Sequence, residues 1–195
     1  MSRVRTAVLI SGRGSNMEAL IGAARDPGFP TEIVLVLSNR LDAAGLDTAR
    51  AAGLAAEAVD HRAFGKDREA HERELHARLQ AHGVELVALA GYMRVLTPWL
   101  VGAWEGRMLN IHPSLLPHFP GLDTHARALA AGHAEAGCTV HLVSEGVDEG
   151  PVLGQARVPV EHGDTSERLA ARVLEAEHRL YPQILADYAR TLRGG

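Results

Sequence analysis

The chain has 195 residues, 46% of them hydrophobic and 23% charged, a composition that is typical of a folded globular protein and excludes a disordered one. Its formal net charge of −4 argues against a protein that grips nucleic acid through phosphates, and no apolar run approaches the roughly 20 residues of a membrane span. The single cysteine, Cys138, excludes an internal disulfide and fits a reducing compartment, so we expect a cytoplasmic protein that binds neither nucleic acid nor a membrane.

Short apolar runs alternate with longer segments of helical periodicity along the whole chain. The predicted strands cover residues 7–10, 33–37, 55–59, 84–90, 108–111, 138–143 and 152–160. The predicted helices cover residues 16–25, 43–52, 67–82, a short stretch from Pro98, 124–131 and 165–180, with a mostly helical tail to residue 195. Ser15 and Asp164 are the expected caps of two of these helices. This alternation predicts an α/β fold, doubly wound, with a mostly parallel sheet and two extra strands at the end.

Doubly wound sheets bind ligands at the carboxyl ends of their strands. The first such end is followed by Ser-Gly-Arg-Gly-Ser-Asn at residues 11–16. Its glycines allow close approach to a ligand, and the helix start offers free N–H groups, as a phosphate cradle needs. The loop lacks the lysine of a P-loop and the third glycine of a dinucleotide fingerprint, so a mononucleotide phosphate is favoured over a dinucleotide. A tight strand-to-helix turn without a ligand is the competing interpretation.

The segment Asn-Ile-His-Pro-Ser at residues 110–114 ends another predicted strand. Side chains alternate along a strand, so Asn110 and His112 point the same way. An asparagine can donate to a developing oxyanion, and a histidine can exchange a proton near neutral pH. Taken alone, the segment also fits a polar strand end whose side chains bond to loop backbone.

The turn Val-Asp-Glu-Gly-Pro at residues 147–151 joins the last two predicted strands. Aspartate and glycine are common in turns, but Asp148 could instead face His112 and favour its charged form. The sequence has no metal-ligand motif, and Cys138 and His141 would point in different directions on a strand, so we expect no bound metal.

These motifs occur in a specific order, with Gly-Tyr-Met-Arg-Val-Leu at residues 91–96 and Gly-Cys-Thr-Val-His-Leu-Val at residues 137–143 between them. From Val4 to about Tyr188, the chain resembles the formyltransferase superfamily that uses 10-formyltetrahydrofolate. Within that superfamily it is most similar to the branch that formylates glycinamide ribonucleotide. The resemblance implies a formyltransferase fold with a Rossmann-like N-terminal half. It implies one domain over residues 1–195, with a phosphate-binding half at about 1–100 and a catalytic and folate-binding half at about 101–195.

The resemblance also implies roles for individual residues. The catalytic residues it implies are Asn110, His112 and Asp148. The substrate-binding residues it implies are Gly14, Ser15, Asn16 and Glu177. The folate-binding residues it implies are Arg68, Met93, Arg94, Val95, Leu96, Asn110, Ser144, Glu145, Gly146, Val147 and Asp148. Without it, Met93, Val95 and Leu96 would be interpreted as core, Arg68 as a solvated helix charge and Glu177 as a surface acid.

The implied small-molecule substrates are glycinamide ribonucleotide and 10-formyltetrahydrofolate, in a monomer or homodimer that uses no metal. Asp123 departs from the superfamily pattern, where we would expect histidine or asparagine, and Arg13 would place a cation beside the phosphate. Methionyl-tRNA formyltransferases carry a further C-terminal domain and formyltetrahydrofolate deformylases an extra N-terminal domain, and we expect this chain to be neither. A non-catalytic nucleotide-binding module is the alternative from another class.

Overall fold

A computed structural model describes residues 2–194 of the chain. The strands are β1 Val4–Ile10, β2 Thr31–Ser38, β3 Ala56–Ala58, β4 Leu86–Leu89, β5 Met108–His112, β6 Glu135–Leu142 and β7 Val152–Pro159. The helices are α1 Ser15–Ala24, α2 Ala44–Ala51, α3 Arg68–Ala81, α4 Pro98–Ala103, α5 Thr124–Ala130 and α6 Ser166–Gly194, with a 3-10 helix at His61–Phe64. Within residues 2–194, the seven strands form one sheet in the order β3-β2-β1-β4-β5-β6-β7. The predicted α/β, mostly parallel, doubly wound fold is confirmed.

Helices cover both faces of this sheet, which explains the continuous apolar runs of its central strands. In β1, Val8 and Ile10 belong to the core under α1, α2 and α6. Ala7 and Leu9 belong to the opposite core, which α3 and α4 cover. All four side chains are fully buried, because the alternation of a strand sends neighbouring residues to different faces.

The strand order reverses at β1, which lies between β2 and β4, and pairs with both in parallel. Such a reversal opens a crevice at the carboxyl ends of the strands. Beyond β4, strand β5 is still parallel, but β6 and β7 run antiparallel to their neighbours. The register of β5 and β6 sets Asn110 opposite His141 and His112 opposite Thr139.

Both expected helix caps are wrong. Ser15 is already the first residue of α1, and the cap position is Gly14, whose φ of 77° is left-handed and which makes no side-chain cap bond. The left-handed backbone of Gly14 therefore forms the turn into α1, and glycine adopts this conformation without steric cost. At α6, the amide of Arg168 donates to the hydroxyl of Thr165, because the Asp164 carboxylate is already engaged by the Arg172 guanidinium.

Helix α6 is one continuous helix, which unites the helix predicted at residues 165–180 with the mostly helical tail predicted after it. It runs through Pro182, which removes one backbone donor from the helix interior. The neighbouring Tyr181 is fully buried, and its hydroxyl donates to the carbonyls of Leu89 and Leu109 at 3.0 and 3.2 Å. These bonds fix the helix on the sheet. No helix within residues 2–194 is long and apolar enough to span a bilayer.

The N-terminus of α2 packs directly on the glycine loop, and this approach requires a glycine. Gly45 donates its amide to the carbonyl of Gly12 at 3.0 Å. A Cβ on Gly45 would lie 2.6 Å from Ile10 Cδ1 and 2.9 Å from the Arg13 carbonyl oxygen. The glycine loop and α2 are therefore one packed unit.

We expect Gly45→Ala to lower the free energy of unfolding by about 1–3 kcal/mol, because the new methyl overpacks this contact. Gly22→Ala is the matched control, since Gly22 lies in α1 with no atom within 4 Å of the added methyl. That control should raise the free energy of unfolding by about 0.5–1 kcal/mol through helix propensity. Urea denaturation of both variants measures the difference, and equal effects would contradict the packing argument.

Candidate active site

Three polar side chains converge where β5 ends. Asn110 and His112 share one face of β5, and both reach the carboxylate of Asp148. His112 Nδ1 lies 3.2 Å from Asp148 Oδ2, and Asn110 Nδ2 lies 3.5 Å from Oδ1. The His112 side chain is 7% exposed and that of Asp148 is 10% exposed. The predicted proximity of Asp148 and His112 is present in the structure.

Asp148 carries a stabilised negative charge. Burial acts to raise its pKa, but the His141 ring, the Gly121 amide and the charge of His112 together lower the pKa below its ordinary value. The Gly121 amide donates to Oδ2 at 2.9 Å, and His141 Nε2 lies 3.6 Å from Oδ1. The carboxylate is thus ionised and contacted on both oxygens.

The ring of His112 is held between two acceptors. Its Nδ1 faces the Asp148 carboxylate, and its Nε2 donates to the carbonyl of Phe119 at 3.0 Å. These two contacts fix the position of the His112 ring on the same face of β5 as Asn110. The nearby His125 has a lowered pKa, because of burial and then the charge of His112.

Backbone strain is concentrated around this cluster. Phe119, Asp123 and Asp148 have φ values of 54°, 56° and 58°, a left-handed conformation that side chains other than glycine adopt rarely. Within residues 2–194, these are the non-glycine residues with positive φ. Strained residues persist where their surroundings hold them, and they cluster at functional sites.

His141 also belongs to the site, although the sequence interpretation considered it only as a metal ligand. It is 3% exposed, and its Nδ1 donates to the carbonyl of Leu142 at 2.9 Å. Its Nε2 lies 3.2 Å from Asn110 Nδ2 and 3.6 Å from Asp148 Oδ1. The antiparallel register of β5 and β6 brings His141 and Asn110 together, and that register could not be deduced from the sequence.

The glycine loop borders a cavity of about 420 Å³ at the carboxyl ends of β1 and β4. The cavity is lined by the predicted phosphate-binding residues Gly14, Ser15 and Asn16 and by Met93 and Arg94. Further lining residues that carry basic or imidazole groups are Arg13, Arg40 and His61. Free backbone N–H groups and several cations suit an anionic ligand.

A buried serine joins the glycine loop to the segment at residues 93–96. The hydroxyl of Ser11 donates to Asn39 Oδ1 at 2.6 Å and accepts the amide of Met93 at 2.8 Å. Asn39 is 3% exposed, and its amide lies 3.2 Å from His61 Nδ1. Sequence reasoning missed Asn39, because nothing local to residues 38–40 indicates this contact.

Glu177 enters the site from α6. It is 6% exposed, and its carboxylate accepts from Asn16 Nδ2 at 2.7 Å. Burial raises the pKa of Glu177 to about 7, although the bond from Asn16 acts to lower it. The structure therefore brings the predicted substrate residues of the glycine loop and of α6 together, across 161 positions of sequence.

The predicted folate-pocket residues lie on two segments near this edge of the sheet. Arg68 starts α3, and its guanidinium donates to the carbonyl of Val95 at 3.3 Å. Met93 and Val95 are 66% and 58% exposed, whereas Leu96 packs against the core under α3 and α4.

The second segment, Ser144, Glu145, Gly146 and Val147, leads from β6 to Asp148. Val147 is 46% exposed, and Gly146 has a φ of 101°. Within residues 2–194, no three histidine, cysteine or acidic side chains are grouped as a metal site would require.

The fold and this cluster define a doubly wound α/β protein with a polar, charged site at the carboxyl edge of its sheet. The formyl transferase family model matches residues 4–185. A solved phosphoribosylglycinamide formyltransferase from Brucella melitensis superposes with a TM-score of 0.92 at 57% identity, covering 96% of each chain. The phosphoribosylglycinamide formyltransferase of Escherichia coli is 46% identical over 93% of this chain and 85% of its own length.

A longer relative is the trifunctional purine biosynthetic protein adenosine-3 of Drosophila pseudoobscura pseudoobscura, which is 50% identical over 94% of this chain. The chain spans only 14% of the length of that protein. The family model covers most of the chain, so the chain belongs to the formyl transferase family.

The raised pKa of Glu177 predicts a pH-dependent stability. Its ionised form is disfavoured in the folded state, so stability is lost as pH rises from the ordinary value of 4.5 through about 7. We expect Glu177→Gln to be more stable than the parent by about 2–3 kcal/mol at pH 8 and to differ little at pH 4.5. Denaturant unfolding at both pH values measures this, with the exposed Glu175→Gln on the same helix as control. The same stability difference at both pH values would refute the assignment.

Proposed function

We propose that the chain transfers the formyl group of 10-formyltetrahydrofolate to the amine of glycinamide ribonucleotide. The products are formylglycinamide ribonucleotide and tetrahydrofolate, a step of purine synthesis. The observation that carries the proposal is the convergence of Asn110, His112 and Asp148. Asn110 pairs with Leu89 of β4, and the cavity at the glycine loop is lined by Ala90, the residue that follows β4. The names of the relatives from Brucella melitensis and Escherichia coli support the same reaction.

The glycine loop and α6 would hold the ribonucleotide. The backbone N–H groups at the start of α1 suit its phosphate, with Gly14 and Ser15 as the predicted contacts. Asn16 and Glu177 form a buried polar pair next to this loop and would contact the rest of the ribonucleotide. The cavity volume of about 420 Å³ is within the range of small-molecule sites.

The chemistry of the neighbouring segments fits the formyl folate. Met93, Val95 and Val147 expose large apolar side chains, which suits an aromatic ligand that covers them. Arg68 and Arg94 could meet its carboxylates. The loop at residues 144–148 then leads from the folate side of the site to the catalytic carboxylate.

The catalytic cluster would act on charge that develops during transfer. The neutral amine of the ribonucleotide attacks the formyl carbon, and the formyl oxygen becomes an oxyanion. Asn110 donates a hydrogen bond to that oxygen, and His112 stabilises it by positive charge. Asp148 keeps His112 in place and cationic. Loss of one oxyanion donor costs about 3 kcal/mol of barrier, the size expected for Asn110.

The transfer is direct and needs no covalent enzyme intermediate. The new bond joins the amine nitrogen to the formyl carbon, and the bond from that carbon to the folate nitrogen breaks. The proton that the amine nitrogen loses ends on the folate nitrogen. The protein supplies orientation and electrostatic stabilisation, and its own side chains end the cycle unchanged.

The test is to follow the folate product by absorbance with 10-formyltetrahydrofolate, in the presence and absence of glycinamide ribonucleotide. We expect product only when the ribonucleotide is present. The His112→Ala variant should form no product. The His162→Ala variant is the control and should form product as the parent does, because His162 is exposed. Equal product without the ribonucleotide would indicate hydrolysis instead of transfer. No product, with both ligands bound, would indicate a non-catalytic module.

A further inference from the structure

The loop between β5 and α5 supplies the backbone groups that hold the catalytic pair. We call residues 119–123 the clamp loop. The carbonyl of Phe119 accepts from His112 Nε2 at 3.0 Å, and the amide of Gly121 donates to Asp148 Oδ2 at 2.9 Å. Both bonds depend on where the backbone of this loop lies. The Phe119 carbonyl and the Gly121 amide are backbone groups, so neither can reorient unless the loop itself moves.

The clamp loop is held in an unfavourable conformation. Phe119 and Asp123, at its two ends, both have left-handed φ values near 55°. Such residues relax unless surrounding contacts fix them. On one side, the hydroxyl of Ser114 donates to the carbonyls of His118 and Phe119 at 2.6 and 3.2 Å. These bonds hold the start of the clamp loop in place, but they do not reach its middle.

Arg127 fixes the middle of the clamp loop. From α5, its Nη1 donates to the carbonyl of Pro120 at 2.6 Å and to that of Leu122 at 3.1 Å. Its guanidinium also lies over the ring of Phe119, 5.4 Å from the centroid. In the part of the chain that the structure describes, this arginine makes no ion pair with a carboxylate. Its charge is therefore committed to the two carbonyls that flank Gly121.

We propose that Arg127 is a positioning residue, which holds the clamp loop so that Phe119 and Gly121 keep His112 and Asp148 in their reactive arrangement. The expected effect of Arg127 on kcat rests on the proposed formyl transfer. The expected effect of Arg127 on the position of the Gly121 amide does not depend on which reaction the protein catalyses.

Loss of Arg127 would affect the reaction through Asp148. This carboxylate faces His112 and Asn110 of β5, His141 of β6 and the amide of Gly121. Burial acts to raise its pKa, and the interactions with His141, Gly121 and His112 lower it. If the Gly121 amide withdraws, the pKa of Asp148 rises. The acid limb of the pH–rate profile should then move to higher pH.

The experiment compares Arg127→Ala and Arg127→Lys with the parent chain. Alanine favours a helix as much as arginine does, so α5 should persist. In Arg127→Ala, we expect kcat to fall about tenfold, as the loss of one effective hydrogen bond predicts, with the KM for glycinamide ribonucleotide within about twofold. Lysine can still donate to one carbonyl and should restore part of kcat. Arg190→Ala, an exposed helical arginine paired with Asp187, is the control and should leave kcat unchanged.

Hydrogen exchange at the Gly121 amide provides a readout that does not need turnover. We expect this exchange to be about tenfold faster in Arg127→Ala than in the parent, because the hydrogen bond to Asp148 is less populated. If exchange and kcat are both unchanged, or if kcat rises, the proposal is wrong. If the parent itself shows no formyl transfer, the proposed function fails, while the exchange comparison still decides the role of Arg127.

Discussion

The buried carboxylate of Asp148 is the interaction on which the rest of the site depends. A charge this deeply placed costs several kcal/mol unless it is paired and hydrogen-bonded. Here it meets the His112 ring of β5 and the backbone amide of Gly121 on one oxygen, and Asn110 and His141 on the other. One carboxylate therefore joins two strands and a loop, and the same contacts that satisfy it also place the side chains that we propose to be catalytic.

The sheet explains why these groups can meet a ligand. Parallel strands β1, β4 and β5 end at the same edge, so the glycine loop, residues 91–96 and Asn110 are neighbours. Asp148, in the loop between β6 and β7, contacts His112 and Asn110 of β5. Ser11 accepts a hydrogen bond from the amide of Met93, and Asn16 donates one to the buried Glu177 of α6. The glycine loop is thus linked to residues 93–96 and to the last helix.

Much of this arrangement could be predicted from residue patterns. The alternation of apolar runs and helical segments predicts the sheet, and strand alternation predicts that Asn110 and His112 share a face. The roles of Glu177 and Arg68 came only from family resemblance, because an acid or an arginine on a helix is ordinary by itself. His141, Asn39 and Arg127 act through register and loop contacts that no local pattern reveals. The caps at Ser15 and Asp164 were wrong because backbone conformation and an ion pair took the place of the expected side-chain bond.

The most direct measurement of the central claim is kcat for Asp148→Asn. Asparagine keeps the shape of the side chain, and its oxygen can still accept from Gly121 and face His112. The negative charge is removed, and an amide donor replaces the oxygen that accepts from Asn110. We expect kcat to fall by at least about a hundredfold, as when an orienting carboxylate is neutralised elsewhere, while the KM for glycinamide ribonucleotide changes little. A kcat within about threefold of the parent would mean that the charge of Asp148 is not what makes His112 effective.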